Sequence, residues 1–180
     1  MASERTIRWA KAAVLFAAAL VLIIAISFSG KRAGNLRSTT TRKALQDFRL
    51  SDLSGTQWRL SDHRGQVVLL NFWATWCEAC RYETPDLVSI SRSYSGRGLY
   101  VLGIDMDHDA PASVPPFLRE YRIPYQVVIA DSSFALADNL EALPTSVLLD
   151  RSGRVAWTHI GAVSAAELRS VIDPLLNERT

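Results

Sequence analysis

The most reactive side chains in this sequence are those of Cys77 and Cys80, its only two cysteines, separated by Glu78 and Ala79. A bridge between them closes too short a loop to restrain an unfolded chain appreciably, so the value of the pair is chemical. Just upstream, Val67–Trp73 (VVLLNFW) is an almost unbroken apolar run that passes through Ala74-Thr75-Trp76 into a helical stretch opening at Cys77. A thiol at the start of a helix faces unpaired backbone N–H groups and the positive end of the helix dipole, and both favour the thiolate. Two intervening residues place the second sulfur about one turn along, where it can attack a mixed disulfide formed at Cys77 yet stay shielded from solvent. The spacing therefore assigns attack to Cys77 and resolution to Cys80. The competing readings are half of a zinc site, a structural disulfide and a pair of core thiols. Zinc needs more ligands, yet there is no third cysteine and His63, His108 and His159 are isolated from one another. Inert burial conflicts with the helix-start position.

Elements must hold these side chains in place. Val67–Trp73 has the continuous apolarity of a strand buried on both faces of a sheet. The helix after it runs from about Cys77 to Tyr94, with Leu87, Ile90 and Tyr94 on one face, Pro85 expected to bend it, and Gly96 and Gly98 to stop it. Phe48–Leu50 and Trp58–Leu60 read as a hairpin. Leu99–Asp105, Gln126–Ala130, Ser146–Asp150 and Arg154–Ile160 read as strands, and Val114–Tyr121, opened by Pro115-Pro116, and Ser133–Leu140 as helices. Ser164 and Glu167 form a capping box ahead of the stripe Leu168, Val171, Ile172 and Leu175. Alternating strands and helices predict an α/β fold, a mixed sheet with helices on both faces.

At 180 residues, with 48% hydrophobic and 21% charged side chains, the chain has room for one domain and enough apolar content to bury a core. The net charge of +2 conceals an asymmetry, because eight of the basic residues precede Ala44 and all but one of the acids follow it. The part from Ala44 onward has no lysine and more acids than arginines, so no basic stripe remains to neutralise the phosphates of a nucleic acid.

Ala12 to Phe28 is apolar at every position except Ser27, which at ~1.5 Å per residue nearly spans a hydrocarbon core about 30 Å thick, with Trp9 as an interfacial anchor. We read it as an uncleaved membrane anchor. A cleaved signal peptide is the alternative, with Ala25, Ser27 and Ser29 as small residues for a cleavage site. Basic residues flank both ends, so charge does not fix the orientation. The expected division is an N-terminal stretch at 1–11, placed on the cytoplasmic side by the resemblance given below, a span at 12–28, a polar tether at 29–46 and a folded domain at 47–180.

Val67–Pro85 (VVLLNFWATWCEACRYETP) resembles the active-site stretch of membrane-anchored thioredoxin-like proteins of the TlpA and ResA kind, which include the cytochrome c maturation thioredoxins. The likeness extends from about Ala44 to Thr180 in the order of elements. It implies a thioredoxin-like fold, a membrane-anchored domain on the extracytoplasmic (periplasmic) side, and exchange through a redox-active Cys77–Cys80 disulfide without metal or organic cofactor. It implies a cis peptide bond before Pro144, opposite the cysteines, with the Leu143 backbone pairing with a polypeptide substrate. Glu83 matches a family acid important for exchange. Implied partners are client disulfides such as those of apocytochrome c, a membrane electron donor of thiol–disulfide type, and the membrane itself. Asn71 matches this branch, whereas Ala79 stands where proline is usual and Ala142 where glycine is common.

Other positions keep two readings each. Glu83 and Glu78 are either acids that raise the thiol pKa values or solvated helix surface. Trp76 and Trp73 either offer a partner an apolar surface or, for Trp73, belong to the core. Asp105, Asp107, His108 and Asp109 read as a solvated loop rather than a metal site. Ala74 stands where a peroxidase of single-cysteine type has threonine, which argues against peroxide chemistry. The remaining alternative to an enzyme is a chaperone or copper-handling module on the same fold.

Overall fold

The computed structural model describes residues 36–131, 134 and 140–178. The apolar segment 12–28 and most of the helix expected over Ser133–Leu140 lie outside the described residues, and among the described residues no helix is long and apolar enough to cross a membrane.

Seven strands form one mixed sheet: β1 (Arg49–Ser51), β2 (Gln57–Arg59), β3 (Val67–Trp73), β4 (Leu99–Asp105), β5 (Gln126–Ile129), β6 (Thr145–Leu149) and β7 (Val155–Ile160). Their spatial order is β2-β1-β5-β4-β3-β6-β7. The crossovers β3 to β4 and β4 to β5 are parallel, as the helices between them require, whereas β6 and β7 add antiparallel on the other side of β3. All seven residues of β3 are buried, which is why its sequence shows no alternation.

Three α-helices are described: α1 (Glu78–Ser93), α2 (Ala110–Tyr121) and α3 (Ala165–Asn177). α1 and α3 cover the sheet face that carries Val67, Leu69, Val101 and Leu148, through Leu87, Ile90, Leu168, Val171, Ile172 and Leu175. α2 covers the continuation of that face at Trp73 and Val127 through Ala110, Val114 and Phe117. The other face buries Val68, Leu70, Phe72 and Leu102 with Leu50, Trp58, Phe134 and Leu60, the last opening the short 3-10 helix Leu60–His63.

Two boundaries differ from expectation for physical reasons. α2 begins at Ala110 rather than at Val114, because Pro111 fits the first turn, where an N–H has no partner to lose. Pro115 and Pro116 then sit inside the helix, held there by the buried stripe Ala110, Val114 and Phe117. The tether reading of residues 29–46 is corrected for its described part. Residues 37–45 run along the edge strand: the Arg37 N–H bonds the Ala156 carbonyl (2.8 Å), the Val155 N–H bonds Lys43 (2.9 Å) and the Leu45 N–H bonds Gly153 (3.0 Å). Arg42 is buried, its guanidinium reaching Asp150 (3.3 Å) and both oxygens of Glu178 (2.7 Å each). An arginine that can share its fork among acids from two other segments is not tether material; its charge is paired as the strand edge is covered.

Removing Arg42 leaves Asp150 buried with only Arg154 as ionic partner. Arg42→Ala is expected to lower unfolding free energy by about 2 kcal/mol in urea titration, whereas Arg59→Ala, which breaks the exposed pair with Asp47, should cost under about 1 kcal/mol.

Candidate active site

β3 delivers the chain to the reactive end. After Trp73 the backbone turns through Ala74, with the Cys77 N–H bonded to the Ala74 carbonyl (3.2 Å). Cys77 is the N-cap of α1 rather than its first residue: its backbone is extended and its Sγ accepts the Cys80 N–H at 3.2 Å. The sulfur thus occupies the position where unsatisfied helix N–H groups converge, which is the electrostatic environment a thiolate needs. Cys77 and Cys80 are joined as a disulfide, their Cα atoms 5.2 Å apart. Cys77 is 7% exposed and Cys80 is 0% exposed.

β6 supplies the opposite wall. The register pairs Phe72 with Thr145 in antiparallel sense, so the two residues before Thr145 lie beside Trp73 and Ala74. They are Leu143 and Pro144, and the bond between them is cis, as the resemblance implied. Leu143 packs on the apolar cluster that contains both cysteines. The Thr145 hydroxyl bonds the Ala142 carbonyl (2.7 Å) and ties the approach to the strand.

Trp76, 68% exposed, stands at the mouth beside Cys77, and Tyr82 on α1 is exposed as well. Trp73 settles the other way: it is buried, its ring centroid 4.5 Å from that of Phe117. Gly103 makes room for it, since a Cβ there would lie 2.9 Å from the indole nitrogen.

Glu83 lies one helical turn beyond Cys80 and is 1% exposed, so the solvated-surface reading is replaced by burial; Glu78 is exposed. Asn71 Nδ2 donates to Glu83 Oε1 (2.7 Å) and to Ser146 Oγ (3.2 Å), while the Val163 N–H donates to Oε2 (3.0 Å). Burial drives the carboxyl pKa up to about 7; the Val163 N–H and the Asn71 amide oppose the rise, and Asp86 adds to it. Asn71 and Ser146 complete this group, and only Asn71 drew notice as a family match. Arg81, the cation nearest the pair in sequence, is engaged elsewhere: Nη2 bonds Glu120 (2.8 Å), and the guanidinium lies 5.4 Å from the Phe117 ring centroid.

The loop after β4 is corrected: Asp105 is 0% exposed, and Asp107 holds the turn residue Thr75, its Oδ2 accepting the N–H (2.8 Å) and its Oδ1 the hydroxyl (2.9 Å). Among the described residues no group of three or more His, Cys, Asp or Glu side chains is placed to hold a metal ion.

A mixed sheet that feeds a two-cysteine disulfide into a helix start, opposite a cis-proline, defines a thioredoxin-like redox domain. Solved structures agree: a thiol:disulfide interchange protein of the thioredoxin family from Chlorobium tepidum superposes with TM-score 0.70 at 26% identity, over 78% of this chain and 100% of that one. A secreted thiol-disulfide isomerase from Corynebacterium glutamicum matches with TM-score 0.70 at 30% identity, over 83% and 95% of the two chains. In sequence, the chain is 32% identical over 163 residues to the thiol-disulfide oxidoreductase ResA of Geobacillus kaustophilus, 90% of either protein. The chain belongs to the AhpC/TSA family, whose profile matches residues 41–158, and within it to the ResA-like thiol-disulfide oxidoreductases. It is a redox enzyme of that kind.

A carboxyl whose pKa is raised in the folded state binds its proton more tightly there than in the unfolded chain. Its contribution to stability therefore falls as pH rises from about 4.5 through 7 and is fully lost above 7. Glu83→Gln removes this titration, so the variant should gain roughly 2–3 kcal/mol relative to wild type between pH 5 and pH 8 in urea unfolding.

Proposed function

We propose that this oxidoreductase works as a reductant of client-protein disulfides, with its catalytic domain outside the cytoplasm and tethered through residues 12–28. The observation that carries the direction is electrostatic. Strong oxidants stabilise their reduced form, yet the cation nearest this pair in sequence, Arg81, is engaged by Glu120, and a buried acid, Glu83, stands one turn below Cys80. The apolar run 12–28 supports the anchor, and a similar solved protein is a secreted one.

The exchange runs in two steps. The Cys77 thiolate attacks one sulfur of the client disulfide, forming a mixed disulfide as the other client sulfur leaves as thiolate. Cys80 then loses its proton, attacks Cys77 Sγ and expels the second client thiolate. Two electrons pass to the client, and the Cys77–Cys80 disulfide is left to be reduced by a dithiol donor in the membrane. Glu83, titrating near neutrality, is suited to accept the Cys80 proton. Trp76, Leu143 and Pro144 form the docking surface, with an extended client segment beside the Leu143 backbone. The proposed clients include apocytochrome c, whose paired haem-binding cysteines must be reduced.

Equilibration with glutathione and dithiothreitol buffers tests the direction. A potential near the −270 mV of thioredoxin is expected, and one near the roughly −120 mV of a strong oxidant contradicts a reductase. Clients captured covalently on Cys77 in a Cys80→Ser variant, identified by mass spectrometry, should be extracytoplasmic cysteine-pair proteins; cytoplasmic clients alone would contradict the location.

A further inference from the structure

Asp105 ends β4, on the sheet face covered by α2, between Trp73 of β3 and Ile129 of β5. Its carboxyl is 0% exposed and one oxygen, Oδ1, has no hydrogen-bond partner. The other, Oδ2, accepts the Asp107 N–H at 3.3 Å. The Asp107 carboxylate is within hydrogen-bonding range of the Asp105 carboxyl and is committed on its other side to Thr75. Two ionised carboxylates cannot satisfy one another, because both only accept. An orphaned buried oxygen beside a second carboxylate is satisfied when one of the two carries a proton.

We propose that Asp105 and Asp107 form a proton-sharing pair that positions the turn before Cys77. Asp105 carries the shared proton and donates it to Asp107, whose two oxygens hold the Thr75 N–H and hydroxyl. Thr75 is two residues from the attacking sulfur, and its carbonyl also accepts Arg81 Nη1 at 3.5 Å, so the turn is gripped from both sides. The charge surroundings fix which acid keeps the proton. Asp107 is half-buried and has two donors from Thr75, whereas Asp105 accepts the Asp107 N–H at 3.3 Å, the neighbouring Met106 N–H being bonded to the Trp73 carbonyl (2.9 Å). From α2 the covering side chains are apolar, Ala110, Val114 and Phe117, and from β3 the neighbour is Trp73. Arg81, the cation at this turn, is spent on Glu120 and on the Thr75 carbonyl. Burial, followed by the Asp107 carboxylate, raises the Asp105 pKa to about 8. Above that pH a second negative charge forms against Asp107 and loosens its grip on Thr75.

This inference rests on Cys77 as the attacking thiol, but the pair is read independently of exchange by following aspartate side-chain carboxyl carbons in the oxidised full chain by NMR. One aspartate should titrate near pH 8, and its signal should be absent in Asp105→Asn. If every aspartate titrates below about pH 5, the pair does not exist. For positioning, the reduced chain is reacted with glutathione disulfide at pH 7. Asp105→Ala should slow the Cys77 step about tenfold through misplacement of the turn. Asp105→Asn, whose amide can donate to Asp107 as the protonated acid does, should restore the rate to within about twofold and abolish the decline above pH 8. An asparagine variant as slow as the alanine variant, with an unchanged urea midpoint, overturns the positioning role.

Discussion

The reactive end of this domain depends on a carboxylic acid removed from water. Glu83 joins three parts of the fold through its two oxygens: the helix that carries the cysteines, the central strand through Asn71, and the segment leading into α3 through Val163. Taking a carboxylate out of solvent disfavours its ionised form, and the two hydrogen bonds offset only part of that cost. The outcome is a group poised near neutrality, able to receive a proton and to give it back. Asn71 is suited to this balance, because a second acid at that position would add like-charge repulsion and push Glu83 toward a permanently protonated state. The Asn71 amide reaches both Glu83 and Ser146, so the same contact ties β6 to the site.

That tie matters because β6 follows directly on the cis Leu143–Pro144 bond, the side proposed to meet the substrate. With β3 an interior strand of the sheet, one neighbour, β4, ends at the Asp105 loop that grips Thr75, and the other, β6, begins just after the Leu143–Pro144 bond. Both walls of the cysteine turn are therefore short segments that continue directly from strands held in register with β3. Trp76, left in water next to Cys77 in the chain, is the exposed aromatic of the docking surface proposed for client polypeptides.

Much of this was legible in the sequence. The unbroken VVLLNFW run marked the central strand, the cysteine spacing marked the helix start, and Ser164 with Glu167 marked the last helix through a capping box that the structure contains. What escaped depended on partners distant in sequence. Arg42 reads as one more tether charge until Asp150 and Glu178, more than a hundred residues away, are seen around it. Asp105 looks like loop solvent exposure because polarity is local, whereas it ends β4 between Trp73 and Ile129 and is buried there. Glu83 could be weighed evenly between surface and site, since helical spacing gives its direction but not what Asn71 and Val163 bring to meet it.

The central claim is that Glu83 accepts the proton of Cys80 in the resolving step. An aromatic disulfide that releases a coloured thiol reports the two steps as successive phases in stopped flow, the first from attack by Cys77 and the second from attack by Cys80. The account predicts that the second phase in the wild-type chain accelerates through an inflection near pH 7. In Glu83→Gln that inflection disappears and the second phase slows by about a hundredfold at pH 7, with the first phase changed far less. Superimposable second-phase profiles for the two proteins would contradict it.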